Sequence, residues 1–355
     1  MNFIPFNNII SPIKTIHNFY GQMNCSYANA VLQCLACLNC IRKWYSQLNR
    51  FSFMKMNNIP NPITKDFYNL LFILYSGGQP DSSSFISNFN QKIMQYYKKE
   101  TKADPFHFLF YFLDLLHMEN NNAINRTFNV NEYLNPSLTN MQNNSYMYFL
   151  YVNYSKSTKN SVVSTNFLNS CRYKIDCKNS LLNCPSLYYY KARKIIEFDV
   201  DNFRRYRDQA RPYRMNMNLS LEECLLCYQG GKKIKCQICG CFNAYSYNNI
   251  WSSNRVLIFY FKRMIHNFLC DIDFGTKIDM SNFCKYNDGN IKYIYNLKAC
   301  ISLSNFYKYF ADIEINGNWF RYMDGQFKTL SSINNEIFIY EPQLLIYEIE
   351  EPKIF

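Results

Sequence analysis

Helical and extended patterning are segregated along this chain, and that segregation limits the folds open to it. Residues 21–48 carry Tyr27, Val31, Leu32, Leu35 and Leu38 at helical spacing, with Asn24 or Ser26 placed to cap. Residues 104–118 form a second strong helical stretch. It is opened by Asp104-Pro105, a capping side chain followed by a ring that suits a first helical position. The Asn-rich stretch 119–145 reads as an exposed loop. From 145 onward short aromatic and β-branched runs dominate: Tyr146–Val152, Ile195–Val200, Val256–Phe261, Ile291–Ile301, Phe310–Ile315 and Phe338–Ile346. Asn316-Gly317 and Asp324-Gly325 are hairpin turn signals between the last of these. Helices first and strands afterwards predict an α+β fold rather than alternating βαβ units. No repeat of 20–50 residues is visible, which argues against solenoids and propellers.

Composition removes several kinds of chemistry. The 355 residues include only 10 Gly, with neither a Gly-x-Gly-x-x-Gly nor a phosphate-loop motif, so nucleotide enzymes start at a disadvantage. Four histidines (His17, His107, His117 and His266) leave little material for His-based catalysis. The net charge of +12 favours acidic partners, nucleic acid among them. Residues 1–16 lack a continuous apolar segment and do not read as a signal peptide. The most apolar stretch, 106–118, is too short to span a bilayer, so no membrane partner is expected. Fifteen cysteines without a secretory signal suggest core thiols and a metal site rather than disulfides.

The most specific signal is Gly21-Gln-Met-Asn-Cys-Ser-Tyr-Ala-Asn-Ala-Val-Leu-Gln-Cys-Leu35, a polar loop running straight into a helix. A thiol protease places its nucleophile at such a point, because the helix N-terminus lowers a thiol pKa and steadies developing negative charge. The segment resembles the cysteine box of the ubiquitin-specific proteases. Asn24, Tyr27, Asn29, Leu32, Gln33 and Leu35 match that box. The position of the family's catalytic Cys holds Ser26, Cys25 stands where Thr is usual, and Gly21 replaces the oxyanion-stabilising Asn. Two further blocks are similar to the same family. Residues 103–117 look like its Gln-Asp-Ala-x-Glu-Phe-Leu helix, and Val256–Arg263 looks like the buried strand ending in Lys-Arg-Phe.

The family's third block carries its general base. Tyr295-Asn-Leu297 opens that block here, and Trp319-Phe-Arg-Tyr-Met-Asp324 closes it. Counting back from Trp319 puts the base at Phe306, whereas matching Tyr-x-Ala puts it at Lys308. Neither is a histidine, and no His follows His266. The orienting acid position is Met323, with Asp324 keeping the second acid. The resemblance therefore implies a degenerate triad at Ser26, Phe306 or Lys308, and Met323. A rescue would use Cys25 as nucleophile with His266 or His107 as base. Ser26 as a serine nucleophile would equally need a base.

Cys224-Leu-Leu-Cys227 and Cys236-Gln-Ile-Cys239 have spacing that suits tetrahedral zinc. Against that, Ser220–Cys227 resembles a family helix whose cysteine is a core residue. On this reading Cys236 and Cys239 form half of a zinc ribbon, completed from Cys171, Cys177 and Cys184. Either way the ion would be structural. The stretch 191–214 holds eight Lys or Arg against four acids and is interleaved with Tyr, the composition of an RNA-facing surface or of a solvated loop.

Taken together, the resemblance implies a papain-like ubiquitin-specific-protease fold over residues 18–350, behind an N-terminal extension at 1–17. A helical thumb would cover about 18–120, and β-rich fingers and palm about 145–350. The Ser26-Tyr-Ala-Asn-Ala-Val-Leu-Gln33 run narrows the likeness to the family's non-catalytic, spliceosomal tri-snRNP-associated branch. The chain departs from that branch in having only some 20 residues ahead of the box, where a ubiquitin-binding-type zinc finger is usual. The expected function is an inactive interaction scaffold in pre-mRNA splicing, in the nucleus, with ribonucleoprotein partners and possible ubiquitin contact. The alternative is a divergent, active cysteine-type deubiquitinase.

Overall fold

The computed structural model describes residues 11–14, 25–47, 62–100, 102–120, 161–178, 184, 186–203, 218–236, 238–263, 271–284, 293–304, 308–323, 325–331, 336–337 and 341–349. Helices α1 (Ser26–Cys37), α2 (Asn39–Gln47), α3 (Ile63–Tyr75), α4 (Ser83–Tyr97), α5 (Pro105–Asn120) and the short α6 (Val162–Asn166) come first. The strands follow, with α7 (Leu221–Gln229) among them. This is the α+β order the sequence predicts.

The helical stretch expected over 21–48 is two helices, because Leu38 turns extended (φ −69°, ψ 133°) and ends α1. Helix α1 is buried nearly all round, as befits a helix apolar on every face. Small residues (Ala28, Ala30, Cys34, Ala36) let it lie close between α5 and the sheet. Its cap differs from expectation. Cys25 holds the N-cap position and makes no side-chain capping bond. Ser26 is the first helical residue, and Asn24 lies outside the described residues. Helix α5 starts as predicted at Pro105, with Asp104 Oδ1 accepting from the His107 backbone N–H at 3.0 Å.

The large sheet has the order β13 (Gln326–Leu330), β12 (Asn318–Met323), β11 (Tyr309–Ile315), β10 (Ile294–Leu303), β14 (Pro342–Ile349), β7 (Val256–Lys262) and β3 (Ile196–Asp199), with β9 (Lys277–Asp279) also paired to β10. Only β3 against β7 is parallel among these pairs. Asn316 and Gly317 both have positive φ (54° and 85°), the geometry that lets a two-residue turn join β11 to β12. Both faces of the central strands are covered. In β7, Val256 and Ile258 join the core under the helices, while Leu257, Phe259 and Phe261 join the one beneath α7. Such two-sided burial explains the unbroken apolar run at 256–261.

A second sheet, ordered β2 (Leu187–Arg193), β1 (Asn169–Cys177), β6 (Ala244–Ser252) and β5 (Lys232–Ile234), extends from this body. A short parallel pair joins β4 (Leu219–Ser220) to β8 (Ile272–Asp273). The run predicted at 146–152 and the loop 121–145 lie outside the described residues. No described helix is long and apolar enough to cross a membrane.

Candidate functional site

The N-terminus of α1 meets the start of β11. The Tyr309 backbone N–H donates to Ser26 Oγ at 3.0 Å, and Ser26 is only 8% exposed. The residue preceding this contact is Lys308, exposed, its backbone N–H donating to Ser304 Oγ at 3.2 Å. Met323 ends β12 and is 39% exposed. Gly21, Phe306, Asp324 and His266 lie outside the described residues.

The other residues of the box serve the architecture. Tyr27 packs edge-on against Phe108 of α5. Asn29 Oδ1 accepts from the Ser82 hydroxyl at 2.6 Å, which ties α1 to the start of α4. Gln33 is buried; its Oε1 accepts from the Ile13 N–H at 2.9 Å and its Nε2 donates to the Ser11 carbonyl at 3.1 Å. Leu32 and Leu35 are in the core. A sequence pattern associated with catalysis is thus held here by contacts that need no catalysis.

Of the rescue candidates, Cys25 is partly buried and packs against the helical core. His107 turns its Nδ1 to Oδ1 of Asp104, the residue just before its helix, at 3.0 Å. Burial pushes the Cys37 thiol up to about 12 and that of Cys34 well up also, which disfavours the reactive thiolate in both. Tyr309 is likewise raised to about 12, by burial first and the Asp104 carboxylate second.

The second site is a knot of cysteines at the far end of the small sheet. Sγ atoms of Cys177, Cys184, Cys236 and Cys239 all lie within 4.8 Å of one another. Cys177 ends β1, and Cys236 and Cys239 lie in the turn between β5 and β6. That turn is a knuckle: Gly240 N–H donates to the Cys236 carbonyl at 3.0 Å, and Ile238 N–H points at Cys236 Sγ at 3.4 Å. Gly240 takes φ +72°, a conformation glycine adopts without strain. Hydrogen bonding with the Cys241 backbone and thiol holds the Cys239 thiol down, to about 6. Four clustered sulfurs with an N–H aimed at one of them fit tetrahedral zinc, which would cross-link the strand ends as a structural ion.

Among the alternative partners named from sequence, the structure brings Cys177 and Cys184 to Cys236 and Cys239. Cys171 is buried instead on β1 and Cys224 in the core beneath α7, and Cys224 and Cys227 lie three residues apart on α7. Cys241 was missed by the sequence reading, because its two-residue spacing from Cys239 falls outside the usual pairs. In the basic stretch, Arg193 donates to the Tyr173 hydroxyl and Lys194 pairs with Asp114 of α5, so both serve internal contacts. Residues 204–214 lie outside the described residues.

A family model described as ubiquitin carboxyl-terminal hydrolase matches residues 19–347. Among curated proteins no sequence matches the chain. Among solved structures it is similar to the Ubp8–Sgf11–Sgf73–Sus1 SAGA DUB module, with TM-score 0.61 and 18% identity over 97% of this chain and 68% of that one. It is also similar to a structure of the yeast SAGA DUB module, with TM-score 0.62 and 18% identity over 96% and 69% of the two chains. The SAGA Ubp8/Sgf11/Sus1/Sgf73 DUB module bound to ubiquitin aldehyde gives TM-score 0.62 and 17% identity over 96% and 70%. At such identities the likeness carries the fold, a papain-like ubiquitin-specific-protease architecture.

Proposed function

Because the chain belongs to the ubiquitin carboxyl-terminal hydrolase family, we propose that it keeps the family's fold without its chemistry and acts as an interaction scaffold. The observation that carries this reading is the hydrogen bond from the Tyr309 amide to Ser26 Oγ. A thiol protease needs a base within hydrogen-bond reach of its nucleophile and a third group to orient that base. Here a buried hydroxyl stands at the helix entrance, with a backbone amide as its neighbour. Lys308 precedes that amide, and a lysine ammonium offers donors and no acceptor. Met323 has no atom that could orient an imidazole.

Ubiquitin is a candidate partner, since a structural neighbour is a DUB module bound to ubiquitin aldehyde. The setting we propose is the spliceosomal tri-snRNP in the nucleus, supported by the Tyr-Ala-Asn-x-Val-Leu-Gln run at 27–33 and by the pairing of Met323 with Asp324. RNA contact would involve residues 191–214. The ubiquitin C-terminal reactive probe tests the inactivity. No adduct is expected, and an adduct on Cys25 would establish the divergent deubiquitinase instead. Capture from native extract tests the setting: spliceosomal ribonucleoprotein is expected, and its absence would detach the scaffold from splicing.

A further inference from the structure

A fifth sulfur belongs to the cysteine knot. Cys241 Sγ lies 3.2 Å from Cys239 Sγ and 3.5 Å from Cys177 Sγ, and those two are 3.6 Å apart. With Zn–S near 2.3 Å, the edge of a tetrahedral sulfur set is about 3.8 Å. Cys177, Cys239 and Cys241 therefore form a nearly equilateral triangle of about the size of one tetrahedral face. The Cys241 backbone is fixed by the same knuckle that presents the other ligands, since the Cys236 N–H donates to the Cys241 carbonyl at 2.7 Å. Cys184 joins the knot from the connection between β1 and β2, its Sγ within 4.8 Å of those of Cys177, Cys236 and Cys239.

We propose that this centre offers five thiols to one four-coordinate zinc ion, with Cys184 and Cys241 as interchangeable fourth ligands to a fixed set of Cys177, Cys236 and Cys239. Exchange needs no redox partner. The Cys241 thiolate bonds the ion as the Cys184 sulfur leaves, and the proton lost by one thiol is taken up by the other through solvent. The inference concerns the metal centre alone, so its failure leaves the reading of the α1 N-terminus untouched.

Cobalt substitution of the full chain tests it, because sulfur-to-cobalt charge-transfer intensity reports the number of bound thiolates. Cys184→Ser and Cys241→Ser should each keep the wild-type intensity at one cobalt per chain. The double variant should lose about a quarter of it, one thiolate in four. A loss of that size in either single variant, or none in the double, would overturn the proposal. Alkylation of zinc-loaded wild type with iodoacetamide serves as a check that needs no variant to fold. About one label per centre should appear, divided between Cys184 and Cys241, with Cys177, Cys236 and Cys239 protected. Labelling of Cys241 alone would mean a fixed four-cysteine set with a bystander, and the exchange would be withdrawn.

Discussion

Ser26→Cys supplies a thiol at the first helical position of α1, and we expect it to leave hydrolysis of a fluorogenic ubiquitin substrate at the wild-type level. The new sulfur would face the Tyr309 amide rather than an imidazole. Gly21 offers no side-chain amide to an oxyanion, and one missing oxyanion donor alone costs about 100- to 1,000-fold in rate. Members of a triad act as a unit, so Lys308→His added to Ser26→Cys should also be nearly silent while Met323 remains. Robust turnover by wild type would show that a base acts from elsewhere in the fold. Charge at a second residue gives a pH-dependent prediction. Asp312 is buried and receives two hydrogen bonds from Arg321, both at 2.7 Å. Burial pushes the Asp312 carboxyl up to about 6, against the downward pull of Arg321. Its folded pKa thus exceeds its ordinary value. Its contribution to stability is fully present below about pH 4 and is lost as pH rises through about 6. Arg321→Met removes the opposing pull and strands the carboxylate, so it should cost about 3–5 kcal/mol near neutrality. The cost should shrink at about pH 5, where the carboxyl takes up a proton. Urea unfolding at about pH 8 and pH 5 measures both, and an equal penalty at the two would mean that charge is not what the variant strands.

Elements are joined by carboxylates that reach across the chain to helix ends. Glu348 on β14 accepts from the backbone N–H groups of Asn39 and Cys40 at 3.0 and 2.9 Å, which begins α2 where Leu38 ended α1. Glu119 at the end of α5 does the same for Ile63 and Thr64 at the start of α3. A negative charge at a helix N-terminus satisfies orphan amides and complements the dipole. Glu348→Gln keeps the volume and removes the charge, so it should lower stability by about 1–2 kcal/mol, read as a lower urea midpoint with unchanged slope. These long-range caps explain part of what the sequence leaves hidden. Helix α5 is legible because its cap, Asp104, is adjacent to it, whereas the break between α1 and α2 depends on a residue more than three hundred positions away. Strand β7 is legible because both of its faces are buried. Strands β1 and β2 are not, because Tyr, Lys and Arg fill both faces of a half-exposed sheet and blur the alternation. The same sheet hides the metal site, since Cys177 reaches Cys236 and Cys239 only through the pairing of β1 with β6.

At the scale of the whole molecule, two large cores and one very small one among the described residues share the stabilising work unequally. The helices and the large sheet bury dozens of apolar side chains in two continuous clusters. Around the cysteine knot the buried residues of the cluster, among those described, are Ile175, Cys236 and Ala244, with half-buried neighbours such as Leu187 and Tyr189. So little apolar area cannot hold the ends of four strands by itself, because ordering each residue costs about 1–2 kcal/mol of backbone entropy. Zinc bound by the cysteines would close that deficit locally: binding in isolated zinc-finger peptides is worth on the order of 10 kcal/mol. The purified protein should therefore carry about one equivalent of zinc. Removing it with a chelator should loosen 170–245 and leave the large sheet intact. Hydrogen exchange read by mass spectrometry separates the two regions. Amides of β1, β2 and β6 near the cysteines should lose protection, while those of β7, β10 and β14 keep theirs. Chelation that leaves β1 and β6 as protected as before would mean that the sheet closes on cysteine packing alone. Global unfolding on chelation would mean instead that the small sheet is needed by the large one, through the junction where Asn169 accepts from the Asn254 N–H at 2.8 Å.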